Sequence, residues 1–109
     1  MSQSRLKVVA DALTSIEGLE VFHYWRFNKV PPYCIWQEDG HSDFYADDMT
    51  AEVGWTGTVD YFTKTEFDEN ADAIESALND VDTLSWTLDS VQYEEETNLI
   101  HHSWRWEMY

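Results

Sequence analysis

The chain has 109 residues, with 22 acidic and 6 basic side chains, a formal net charge of −16 and one cysteine, Cys34. Six scattered cations cannot neutralise a run of phosphates, which argues against DNA or RNA binding through the backbone, and a lone cysteine excludes an intrachain disulfide. No stretch approaches the roughly eighteen apolar residues of a membrane span, and Met1 to Lys7 leads into no signal-like apolar region, so a soluble protein of a reducing cytoplasm is expected.

Leu, Ile, Val and Phe together make up 24 of the 109 residues. That fraction lies close to the roughly 20% at which highly charged chains stay disordered. Six Trp and six Tyr decide for a folded domain with an aromatic core, since each large ring buries about 150–250 Å². The length predicts one domain spanning residues 1–109.

Ser2 to Ile16 reads as a helix, with Leu6, Val9, Ala10, Leu13 and Ile16 on one stripe. Gly18 follows where a left-handed cap would end it. Glu20 to Phe27 alternates as a strand, Val21, His23, Trp25 and Phe27 sharing a face, and the Asn28–Pro32 stretch breaks it because proline cannot donate a ladder hydrogen bond. Tyr33 to Glu38 forms a second, apolar strand. Asp39 to Thr50 carries turn chemistry and no period, so it is expected to be a long, functional loop.

From Ala51 to Asp80 a strand feeds a helix. Val53, Trp55, Gly57, Val59 and Tyr61 alternate with polar residues; then Phe67, Ala71, Ile74, Leu78 and Val81 recur at helical intervals. Thr65 to Asp68 fits an [ST]-x-x-[DE] helix start. Leu84 to Val91 alternates again, Leu84, Trp86 and Leu88 against Ser85, Thr87 and Asp89. Glu94 to Asn98 forms a turn, and Leu99 to Met108 closes the chain as a strand with Ile100, His102, Trp104, Trp106 and Met108 facing one way. The expected fold is α+β: an antiparallel sheet of about four to five strands under two helices, in the order α-β-β-β-α-β-β.

The candidate reactive groups do not assemble into a known chemistry. His41, Asp43, Asp47 and Asp48 could surround a cation, but no calcium-loop glycine and glutamate accompany them. The residues after Asp68 meet Ala73 and Asn79 at those positions, so that stretch is a helix start. His101 and His102 are adjacent and point to opposite faces of a strand, so they cannot share a metal. His102 and His23 read as hydrogen-bonded core residues. Cys34 lies in an apolar run that makes its thiol inert, Ser103 has no nucleophile elbow, and no phosphate-binding glycine loop occurs. Neither an enzyme nor a cofactor site is expected. Trp25, Trp36, Trp55, Trp86, Trp104 and Trp106 are assigned to the core, with one or two rings left for a protein interface.

Across nearly the whole chain the pattern of elements resembles the small tail-completion, or tail-terminator, proteins of long-tailed phages and prophages. The residues that carry the resemblance are the N-terminal helix, PPYCIW with the acidic DGHSDFYADD segment, GTVDYFTKTEFDENADAIESALND, and the closing hairpin WTLDSVQYEEETNLIHHSWRW. The resemblance implies a non-enzymatic virion protein, made in the host cytoplasm and placed at the head–tail junction. It implies a ring of copies of itself, commonly a hexamer, that caps the tail tube protein and receives the head-completion or connector protein. DNA would pass through without specific binding. An acidic lumen suits such a ring, whereas one lined by Arg26, Lys29, Lys64 and Arg105 would not. Inter-subunit contacts are expected from Phe44, Tyr45, Asp47 and Asp48 in the acidic loop and from Glu94, Glu95 and Glu96 in the hairpin turn. The other reading of the charge rests on the eleven acids and no Lys or Arg between Thr65 and Trp104: a DNA-mimicking inhibitor of a host nuclease or defence enzyme.

Overall fold

A computed structural model describes residues 3–26, 30–42 and 54–109. A 3-10 turn over Gln3–Leu6 leads into helix α1 (Lys7–Thr14), followed by strands β1 (Val21–His23), β2 (Tyr33–Ser42) and β3 (Gly54–Thr63). Helix α2 (Glu69–Asn79) and the hairpin β4 (Leu84–Glu94) and β5 (Leu99–Met108) complete the chain. The order is the α-β-β-β-α-β-β expected of the sequence, and the class is α+β.

The five strands form one sheet in the order β1-β2-β3-β5-β4. β2, β3, β5 and β4 are antiparallel neighbours, but β1 runs parallel to β2, with Val21 opposite Cys34 and His23 opposite Trp36. The sheet is therefore mixed. Tyr33 and Cys34 lie level with the start of β1, which a hairpin would not allow. Tyr24 follows β1 with a φ of +76°, and its N–H donates to the Trp36 carbonyl at 3.0 Å.

One face of the sheet carries Cys34, Trp36, Trp55, Val59, Tyr61, Trp104, Trp106 and Met108, all buried beneath α1 and α2 with Leu6, Val9, Leu13, Ile74 and Leu78. Burying Trp104 and Trp106 completely stabilises the fold by roughly 4–6 kcal/mol each in transfer terms. This is how a chain poor in aliphatics still builds a core. The other face holds a row of polar and aromatic side chains, as an antiparallel sheet with one wet face permits. There Arg105 grips the Asp39 carboxylate with two N–H groups at 2.8 and 3.2 Å, and the Thr56 hydroxyl donates to it at 2.8 Å. These bonds, the arginine's foremost, hold the Asp39 carboxyl below the usual carboxylate range against the effect of burial.

Several boundaries differ from the sequence reading. The first helix starts at Lys7 after a 3-10 turn and stops at Thr14; Gly18 does adopt a left-handed φ of +79°, four residues past the helix. The strand expected over Glu20–Phe27 spans three residues. Trp25, one of the six tryptophans of which one or two were expected to stay outside the core, is 61% exposed. β2 runs on through Ser42, so the first four residues of the expected loop are strand, with a bulge between Glu38 and Gly40. The cap of α2 is Asp68, not Thr65, because its carboxylate reaches the Asn70 N–H at 2.9 Å. Phe67 therefore precedes the helix and leaves its apolar stripe.

Candidate protein-interaction surface

Helix α2 crosses the sheet diagonally. At its start Asp68 accepts hydrogen bonds from the Tyr61 and Thr63 hydroxyls of β3, both at 2.6 Å. Midway, Glu75 accepts from the Trp104 indole of β5 at 2.9 Å. At its end Asn79 accepts from the Trp86 indole of β4 at 2.8 Å. One end of the helix thus lies over β3 and the other over β4. A corner of the same sheet face, where Val91 stands opposite His102 and Tyr93 opposite Ile100, stays outside its cover.

The side chains at that corner are apolar and wet. Leu88 and Val91 are each 50% exposed and Tyr93 60%. A shallow cleft of about 530 Å³, lined by Lys64, Glu66, Tyr93, Asn98 and Ile100, continues the corner past the end of the sheet. Phe67, next in the chain to Glu66 of that lining, is 99% exposed at a φ of +54°. A left-handed conformation costs a residue with a Cβ roughly 1–2 kcal/mol. Phe67 combines that cost with full exposure of an aromatic ring, and outliers of this kind concentrate at functional positions.

A bulge makes the corner. Strict alternation from Leu84 would place Ser90 and Gln92 beside Trp86 and Leu88. The register shifts between Leu88 and Ser90, so one extra residue, Asp89, returns Val91 and Tyr93 to the apolar face. The surroundings are acidic. Asp68 stands at the start of α2 over β3 and Glu75 midway along it over β5, and Glu95 and Glu96 are exposed in the hairpin turn, while Lys64 lines the cleft. His102 forms the floor, stacked on Trp104 at 5.7 Å. Burial holds its pKa below the usual histidine value, although Asp68 and Glu75 pull the other way.

On the opposite face His101 joins the strands. Its Nε2 lies 2.7 Å from Asp60 Oδ1 and its Nδ1 3.3 Å from Glu94 Oε2, and its ring stacks on Phe62 at 4.2 Å. The hydrogen bond to Asp60 raises its pKa; burial opposes this, and the charges of Asp60 and Glu94 add to it. His101 and His102 do point to opposite faces. A third cluster lies under α1, where His23 stacks between Trp36 at 3.9 Å and Tyr24 at 3.8 Å. Its Nε2 stands 2.7 Å from Glu38 Oε1, and the Tyr24 hydroxyl donates to the other oxygen of that carboxylate. Burial disfavours the Glu38 anion, but the bonds from Tyr24 and His23 outweigh it and lower the pKa. His23 is exposed, which corrects its assignment to the core. Cys34 is fully buried, and burial raises its pKa far above that of an ordinary thiol.

Of the expected contact residues, Phe44, Tyr45, Asp47 and Asp48 lie outside the described residues. Glu94 is half-buried and tied to His101, while Glu95 and Glu96 are exposed in the hairpin turn. Leu88, Val91, Tyr93 and Phe67 did not stand out as contact residues in the sequence. Among the described residues no three His, Cys, Asp or Glu side chains converge as a metal site, and no helix is long and apolar enough to cross a membrane. No protein-family model and no curated protein matches the chain.

Proposed function

We propose that this chain is a non-enzymatic assembly protein of a long-tailed phage, forming a ring at the head–tail junction that caps the tail tube and receives the head. The observation that carries the assembly reading is the open corner with Phe67, Leu88, Val91 and Tyr93 in water. A lone domain gains nothing by exposing these groups beside a strained turn, whereas a neighbour that covers them recovers roughly 25 cal/mol for each Å² buried. The reactive-looking clusters are engaged inside the fold: Asp68 caps a helix, His101 joins three strands and Glu38 is held by Tyr24 and His23. That supports a structural role over a catalytic one. The phage setting rests on the resemblance of the element order, and the charge of −16 suits a ring that must not hold the DNA passing through it.

Light scattering across a range of protein concentrations, with electron microscopy of the heaviest fraction, tests this. The expected result is a closed oligomer, formed alone or on addition of a tail tube protein. A chain that stays monomeric under both conditions and competes with DNA for a nuclease would replace the proposal with the DNA-mimic reading, which the base-free acidic stretch favours.

A further inference from the structure

We infer that the outer edge of β4 is a receptor for an extended, cationic segment of a second protein, which adds a strand to the sheet and seats an apolar side chain in the cleft over Ile100. Among the described residues β4 pairs with β5 alone and is the outermost strand, so an edge of eleven residues offers backbone donors and acceptors to a newcomer. Leu88, Val91 and Tyr93 beside that edge give alternate apolar contacts on one face, which is what strand addition reads. The cleft of about 530 Å³ lies beside Tyr93, at the end of the row.

The charge selects the partner. Asp89 lies at the bulge in mid-strand and Glu94 to Glu96 stand at its end; Arg105 beside Asp89 and Lys64 in the cleft lining offset only part of this charge. A second copy fits poorly. Two β4 edges paired antiparallel about their middle would set Asp89 near Asp89, and like charges opposite one another destabilise a sheet. A segment that alternates Lys or Arg with Val, Leu or Ile meets both features: its apolar side joins Leu88, Val91 and Tyr93, and its cations, on the other face of the sheet, meet Asp89 and Glu94. This inference does not depend on ring formation or on the phage setting.

The test uses the full chain and two fluorescein-labelled peptides of about ten residues, near the usual strand length. One alternates Lys with Val and the other Lys with Ser, so both carry the same charge. Anisotropy titrations at moderate salt are expected to show the Lys–Val peptide binding at least about tenfold more tightly, a difference of about 1.4 kcal/mol. Leu88→Ser and Val91→Lys should each reduce it to the level of the Lys–Ser peptide, with the circular dichroism of the protein unchanged. Equal affinity for the two peptides, or unaltered preference in both folded variants, overturns the inference. So does a sedimentation result in which Val91→Lys abolishes self-association while neither peptide is preferred, because the occupant would then be a second copy.

Discussion

Gly57 is the position where one added carbon should do the most damage. It sits in the middle of β3, between Glu38 on β2 and Trp106 on β5, and the Trp106 ring packs directly against it. A Cβ at this site would stand 2.2 Å from Trp106 Cζ2 and 2.2 Å from the Gln37 carbonyl oxygen. Carbon atoms pack best at about 3.5–4.0 Å, so the ring would have to retreat by more than about 1 Å. Trp106 is fully buried and has nowhere to go without displacing its neighbours, while the carbonyl belongs to the adjacent strand. Overpacking a tight core costs about 1–3 kcal/mol and sometimes more; two simultaneous clashes, one with backbone, put Gly57→Ala at about 3 kcal/mol or above. Against a total stability of about 5–15 kcal/mol that is a large share. At roughly 4 °C per kcal/mol for a domain of this size, Tm should fall by about 12 °C. Urea denaturation of the native chain and of Gly57→Ala, followed by tryptophan fluorescence, measures the difference. Trp106→Leu should make the alanine cheaper to introduce, so the double variant should lose less than the sum of the two singles. A loss below about 1 kcal/mol for Gly57→Ala, or strict additivity, would refute the close packing of Trp106 on β3.

Four further outcomes are expected. The raised pKa of His101 contributes stability that is fully present below its unfolded value near 6.5 and is lost as pH rises through the folded value. His101→Gln should flatten that decline, by less than about 1 kcal/mol for so partly exposed a group, in urea midpoints measured from pH 5 to 9; an unchanged slope would count against it. His102, with its pKa lowered, acts in the opposite sense, its contribution fading as pH falls below about 6.5. Phe67→Gly should leave Tm unchanged or raise it by a few degrees, since glycine relieves a left-handed conformation worth about 1–2 kcal/mol, gives back about 0.4–1 kcal/mol to the freer unfolded chain, and loses no buried contact; a clear drop in Tm would mean that the ring packs within the monomer. Asp68→Ala should cost about 2–4 kcal/mol, because it removes the cap of α2 and strands the Tyr61 and Thr63 hydroxyls. Asp68→Asn should recover the capping part of that loss, and equal losses in both would deny the capping role.

Sequence alone determined the parts of this protein that depend on periodicity. The alternation from Trp55 to Tyr61 and from Leu99 to Met108, the stripe of Ala71, Ile74 and Leu78, and the opposed histidines 101 and 102 were legible because side-chain direction follows from residue spacing within one element. Tertiary structure decided whatever depends on a neighbour. The parallel pairing of β1 with β2 leaves no local signal, since three residues of strand are defined only by the partner they meet. The bulge at Asp89 inverts the alternation of β4, so strict spacing could not place Val91 and Tyr93 on the apolar face. Thr65 and Asp68 are both acceptable helix caps in isolation; Asp68 prevails because Tyr61 and Thr63 on the adjoining strand donate to it. The interaction corner exists because α2 runs diagonally, anchored to β3 by Asp68 and to β4 by Asn79. That angle is set by contacts between elements far apart in the chain, which no local pattern of residues records.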